Sequence, residues 1–184
     1  MSTQPATSTT VAILVTDGFE QVELTGPRDA LKAAGIQTRI IAPKAGTVQG
    51  FNHVDKADAL PVDMTLKDAK PQDFDAVLLP GGVVNADALR VDADAQAFVK
   101  AIDQAGKPVA VICHGAWLLI DAGLVKGKTL TSWPSLATDL RNAGAEWVDQ
   151  EVQVQGQWVS SRKPDDLPAF QEAMVKKLTE TADR

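Results

Sequence analysis

Apolar residues gather in short runs along this chain, and between most of those runs they recur at the three- and four-residue spacing of a helix face. Val11–Thr16, Ile36–Ala42, Phe74–Leu79 and Val109–Ile112 read as buried strands, because continuous apolar runs bounded by turn residues suit a sheet covered on both faces. Helical periodicity fills the intervals. It predicts helices over Glu20–Ala34, stopped by Gly35 and kinked or divided at Pro27, and over Asp92–Ala105 and Gly115–Ala122. Pro134–Ala143 and Asp165–Leu178 complete the set, with Asp165 placed to cap the last helix. Between Gly46 and Leu66 the pattern weakens into hairpin-like pieces. Thr129–Ser132 predicts a strand, and Val152–Val154 with Trp158–Ser160 a hairpin turning at Gly156-Gln157. Strands separated by helices predict an α/β fold, a doubly wound three-layer sandwich on a mainly parallel sheet. Met1–Thr10 reads as a frayed polar tail, and residues 11–184 as one domain without repeats or linkers.

Composition narrows the function classes. The 184 residues suffice for a sizeable core, and a net charge of −6 with no basic stripe argues against binding nucleic-acid duplexes. The single cysteine rules out an internal disulfide framework and suits a reducing compartment. No apolar stretch approaches the length of a membrane span, and the start lacks an apolar signal core. These features predict a cytoplasmic protein.

The chemistry concentrates at Cys113-His114. The thiol follows the Val109–Ile112 strand, and Gly115 opens the next helix, the layout of a nucleophile elbow. In such a turn, free amides and the helix dipole lower a thiol's pKa and can hold an oxyanion. A free cysteine also serves as a small buried hydrophobe. The adjoining histidine and glycine favour chemistry, since a core-filling cysteine needs neither. Ligands of open α/β sheets sit beyond the carboxyl ends of the strands. Two further segments reach that edge: Asp17–Glu23, with Glu20 and Glu23 expected on one face of a helix start, and Pro80–Asp87, with the amides of Gly81 and Gly82. Acidic residues in a first helical turn are common stabilisers, and Gly-Gly marks many ordinary turns. Beside the elbow, a protonated glutamate would stabilise a thiolate and an ionised one would repel it. Trp117 follows the elbow and is a candidate to line the site. His53, in the irregular region, reads as a surface residue.

Several motifs in order along the chain, over about Val11–Leu178, resemble the PfpI family of intracellular proteases and protein deglycases, within the class I glutamine amidotransferase-like superfamily. They are Asp17-Gly-Phe-Glu-Gln-Val-Glu-Leu24, Leu79-Pro-Gly-Gly82, Ala110-Val-Ile-Cys-His-Gly115, Thr131-Ser-Trp-Pro134, Ala143-Gly-Ala-Glu-Trp-Val-Asp149 and Trp158-Val-Ser-Ser-Arg162. The resemblance implies a flavodoxin-like sandwich with Cys113 as nucleophile and Glu23 as the carboxylic acid bonded to it. Glu20 matches a nearby acidic position. His114 matches a histidine that PfpI-type members orient with an acid from a neighbouring subunit. Counted back from Leu89-Arg90, that acid falls on Asp87, in a loop one residue longer than the archaeal pattern. A dimer or larger assembly follows, and a hexamer built from dimers is known in PfpI-type members.

The activity implied is hydrolysis of early glycation adducts of methylglyoxal or glyoxal on cysteine, lysine and arginine side chains or on guanine nucleotides, in stress protection, with Gly81, Gly82, Gly115, Glu20 and Trp117 around the substrate. Neither metal nor organic cofactor is implied. The substrates are glycated proteins or small carbonyl adducts. Three alternatives stand beside this reading: a cofactor-independent glyoxalase acting on free methylglyoxal, an intracellular cysteine peptidase, and a non-enzymatic redox-sensing chaperone in which Cys113 is oxidised.

Overall fold

The computed structural model describes residues 8–182. Its first strand, β1 (Thr10–Leu14), leads through a turn to the short β2 (Phe19–Glu20) and directly into α1 (Gln21–Ala33). Next come β3 (Gln37–Ala42), β4 (Thr47–Asn52), β5 (Asp55–Pro61), β6 (Met64–Thr65) and β7 (Ala76–Leu79). Two helices, α2 (Val83–Arg90) and α3 (Ala93–Gln104), then precede β8 (Val109–Ile112) and α4 (Ala116–Asp121). The last third holds β9 (Thr129–Leu130), α5 (Ala137–Asn142), β10 (Glu146–Trp147), β11 (Val152–Gln155), β12 (Trp158–Ser161) and α6 (Leu167–Ala182).

Seven strands form the central sheet in the order β11-β12-β8-β7-β1-β3-β6. Every neighbouring pair is parallel except β11 with β12. Alternate side chains supply two separate cores, as the pleat requires. Ala12, Leu14, Val77, Leu79, Val109 and Val111 pack on one face with residues of α2, α3, α4 and α5. Val11, Ile13, Ala76, Leu78, Ala110 and Ile112 pack on the other with residues of α1 and α6. This is the doubly wound, flavodoxin-like sandwich. From β1 the chain crosses to β3 on one side and later returns to β7 on the other, which leaves a crevice at the carboxyl ends of β1 and β7.

The structure corrects several local expectations. Thr10 opens β1, and its N–H donates to Asp75 Oδ2 at 2.8 Å, so the frayed tail expected over Met1–Thr10 does not reach Thr10; residues 1–7 of that stretch lie outside the described residues.

 Helix α1 runs unbroken through Pro27, whose buried ring removes one amide donor without dividing the helix. Glu20 precedes that helix in extended backbone, so it does not share a helical turn with Glu23. Asp165 does not cap α6: its side chain is largely exposed, and the buried carboxylate is Asp166, which accepts from Arg162. The strand expected over Thr129–Ser132 shortens to β9, and Pro134–Leu136 forms a tight 3-10 turn ahead of α5. Helix α2 had no counterpart in the pattern. The Gly46–Leu66 region forms the antiparallel β4–β5 hairpin, and β2 pairs with β4, which swings the hairpin tip, His53-Val54, toward the carboxyl edge.

Candidate active site

Strand β8 delivers Cys113 to that edge. Ile112 is extended, Cys113 turns to φ 61°, and a 3-10 turn over Cys113–Gly115 leads into α4. For a residue with a side chain the left-handed region costs roughly 1–2 kcal/mol, and here it lifts the thiol clear of its own strand. Gly115 lets the turn press against β7, because a Cβ there would lie 2.6 Å from the Leu79 carbonyl oxygen. Gly81 is equally constrained: a Cβ would stand 2.5 Å from Glu23 Oε1 and 2.6 Å from Cys113 Cβ.

Three segments meet around the sulfur. His114 Nδ1 lies 3.2 Å from Cys113 Sγ, so the histidine touches the thiol directly although the two are sequence neighbours. The N–H groups of His114 and Gly82 face the sulfur. Glu23, fully buried on α1, accepts the Gly81 N–H at Oε1, 3.0 Å away, and reaches the thiol. The Gly81 amide is therefore occupied by Glu23. This leaves Gly82, not Gly81, to offer an N–H beside the sulfur.

Burial pushes the Glu23 carboxyl up to about 8, helped by repulsion from Glu20 and opposed by the hydrogen bonds from Gly81 and Cys113. Burial also pushes the Cys113 thiol up, and an ionised Glu23 pushes it further, while the His114 and Gly82 amides pull it down. A proton retained on Glu23 removes its repulsion, so that the amides that favour the thiolate are opposed chiefly by burial. Burial lowers the His114 pKa, so the imidazole is neutral near pH 7 and able to take a proton. Its ring stacks on Trp133 with centroids 5.7 Å apart and meets Trp117 edge-on at 5.1 Å.

Cys113, His114, Glu20, Glu23 and Gly82 all line one cavity of about 720 Å³. Asp17, His53, Val54, Val83, Val84 and Trp133 complete much of its wall. Glu20 accepts the His53 N–H with both carboxylate oxygens, at 3.3 and 3.1 Å, and so ties the hairpin tip to the site. The structure separates the other candidates from the cavity. Gly115 packs against the end of β7. Trp117 lies beneath the histidine, with its indole N–H on Asp139 at 3.1 Å and the Arg90 guanidinium over its ring. The tryptophan on the wall is Trp133, whose backbone N–H donates to the Cys113 carbonyl at 3.1 Å. Asp87 is exposed on α2 and does not line the cavity. His53 is exposed as expected, yet it stands at the cavity mouth; its sequence surroundings gave no sign of that. Among the described residues, no group of three or more His, Cys, Asp or Glu side chains is placed to hold a metal ion.

Residues 9–177 match the DJ-1/PfpI family. The chain belongs to that family. It is 43% identical over 171 residues to a protein of Escherichia coli named protein/nucleic acid deglycase 2, covering 91% of this chain and 96% of that one. A protein of Thermococcus kodakarensis named deglycase is 41% identical over 168 residues, covering 91% and 98%. Among solved structures of DJ-1/PfpI proteins, Drosophila melanogaster DJ-1beta superposes with a TM-score of 0.82 at 27% identity, covering 96% of each chain. A two-domain protein from Anabaena variabilis with DJ-1/ThiJ/PfpI-like and ferritin-like domains gives 0.89 at 32% identity. That match covers 94% of this chain but about half of the Anabaena chain, 48%. Among the described residues, no helix is long and apolar enough to cross a membrane.

Proposed function

We propose that this DJ-1/PfpI protein is a cysteine-dependent deglycase that removes methylglyoxal or glyoxal adducts. The observation that carries the reading is the Cys113 thiol at the cavity wall, in contact with a neutral imidazole and a carboxyl pushed up to about 8, in a chain similar to proteins named deglycase. Cys113 transfers its proton to His114, and its thiolate bonds to the adduct's carbinol carbon as the bond from that carbon to the amine or thiol breaks. Glu23 keeps its proton and donates toward the sulfur, which holds the thiolate without adding a second negative charge. His114 returns a proton to the departing amine or thiol. It then carries a proton from that carbon to the neighbouring carbonyl carbon through an enediolate, whose charged oxygen the Gly82 and His114 amides receive, so that the first carbon becomes a thioester as the second becomes an alcohol. Water cleaves the thioester and frees Cys113; overall, an adduct of methylglyoxal takes up one water and yields the free side chain and lactate, and a glyoxal adduct yields glycolate.

The wall chemistry supports small adducts on cationic side chains. Its charged groups are the carboxylates Asp17 and Glu20, beside the protonated Glu23, and no lysine or arginine lines the cavity among the described residues. Val54, Val83, Val84 and Trp133 give it an apolar mouth. The reading includes assembly into a dimer or larger oligomer, with Asp87 of one subunit orienting His114 of another. Exposed Val83, Val84 and Val91, beside or on the helix that carries Asp87, support that arrangement.

Time-resolved NMR of purified, preformed methylglyoxal adducts in amine-free buffer tests the reading, with wild type and Cys113→Ser compared. Adducts should disappear faster than their spontaneous release only when Cys113 is present. Consumption of free methylglyoxal alone, with adduct decay unchanged, would replace the deglycase with a glyoxalase.

A further inference from the structure

Asn85 is fully buried, and the chemistry above does not use it. It sits in the first turn of α2, just after Pro80-Gly81-Gly82, and its amide spans the crevice between β1 and β7. Its Oδ1 accepts the Thr16 N–H at 2.7 Å. Its Nδ2 donates to the Gly81 carbonyl at 3.0 Å and to the Pro80 carbonyl at 3.3 Å. Both amide protons and the amide oxygen are engaged.

Each of those carbonyls belongs to a planar trans peptide, whose C=O and N–H point in opposite directions. The Pro80 carbonyl shares its plane with the Gly81 N–H, which donates to Glu23. The Gly81 carbonyl shares the next plane with the Gly82 N–H, which faces the Cys113 sulfur. Neither glycine has a Cβ to resist rotation of these planes, so their orientation must be imposed from outside the loop. The Glu20 N–H contributes a second, longer bond to the Gly81 carbonyl, at 3.3 Å.

We infer that Asn85 is a positioning residue, whose single side chain holds two successive peptide planes so that one amide meets Glu23 and the next meets the Cys113 sulfur. The inference rests on Cys113 as the reactive group, but not on the identity of the substrate. It therefore calls for a test that needs no substrate.

Cys113 is the only cysteine, so iodoacetamide labelling reads its thiolate alone. The rate of labelling is followed against pH for wild type, Asn85→Ala, Asn85→Asp and Leu178→Ala. Asn85→Asp keeps the side chain's shape and the oxygen that meets Thr16, but sets an acceptor against two carbonyls. Leu178 is a stability control: it is buried beside Val11, Ala76 and Pro108, at the opposite edge of the sheet. Both Asn85 variants should displace the pH–rate curve toward higher pH, by about tenfold in the ionisation constant. Leu178→Ala should lower the melting temperature and leave the curve in place. A curve for folded Asn85→Asp that coincides with wild type, or an equal displacement in Leu178→Ala, overturns the inference. Loss of deglycase turnover in wild type, with the displacement intact, would overturn the proposed substrate and leave the Asn85 assignment standing.

Discussion

Glu23 and Asp166 are both buried carboxylates, 0% and 2% exposed, yet they are held in opposite ways. Asp166 accepts from the Arg162 backbone N–H at 3.0 Å and from its guanidinium at 2.9 and 3.0 Å. Arg162 also reaches Asp149 at 2.8 Å. Glu23 has no cation. One oxygen takes a single backbone amide, and Oε2 has no hydrogen-bond partner. Burial alone thus does not tell what a carboxyl group is for. A buried acid saturated by a guanidinium fixes the β12–α6 connection, whereas one left short of partners keeps its proton and can share it with a neighbour.

The largest consequence of that contrast is in stability against pH. Glu23 has a folded-state pKa of about 8 against an ordinary 4.5, so between those values the unfolded chain has released the proton and the folded chain retains it. Stability should fall as pH rises through this window, by up to about 5 kcal/mol, and level off above it. Urea unfolding at intervals from pH 5 to 9 should show the fall in wild type and its absence in Glu23→Gln. A matching slope in the two proteins would erase the contrast. Asp166→Ala, which leaves the Arg162 guanidinium with Asp149 alone, should cost about 3 kcal/mol in the same assay at one pH. Its turnover per folded molecule should stay near wild type.

Glu23→Gln should do the reverse at the site. It preserves shape but loses the shared proton, and adduct turnover should drop about a hundredfold, measured by the NMR assay. The smallest effect concerns the strain beside this acid. Cys113→Gly should unfold about 1 kcal/mol later than Cys113→Ala in urea, because only glycine relaxes at φ 61°.

How far these features were legible in the sequence depended on whether a side chain's type matched its environment. The core strands were readable because both faces of β1, β7 and β8 are buried, which leaves continuous apolar runs. The elbow was readable from Cys113-His114-Gly115, since few other uses join those types after a strand. Helix α2 was hidden by an inverted pattern: Val83 and Val84 are exposed, and the buried member of its first turn is polar Asn85. Asn85 had a signal of its own, an amide three residues beyond Gly82, but only the folded loop shows which carbonyls it meets. Asp165 and Asp166 are adjacent acids, and the choice between them depends on Arg162. The strands β2 and β10 are two-residue bridges, too short to carry any period.

The stacking of Trp133 on His114 gives the site its own optical signal. The protein has four tryptophans and no tyrosine, so its near-ultraviolet emission comes from indoles. An imidazolium quenches a stacked indole far more strongly than a neutral imidazole does. Because burial holds the His114 pKa below its ordinary value, the quenching belongs to acid solution. The difference in emission between wild type and Trp133→Phe would then report, without any added dye, each time the histidine beside the sulfur takes up a proton.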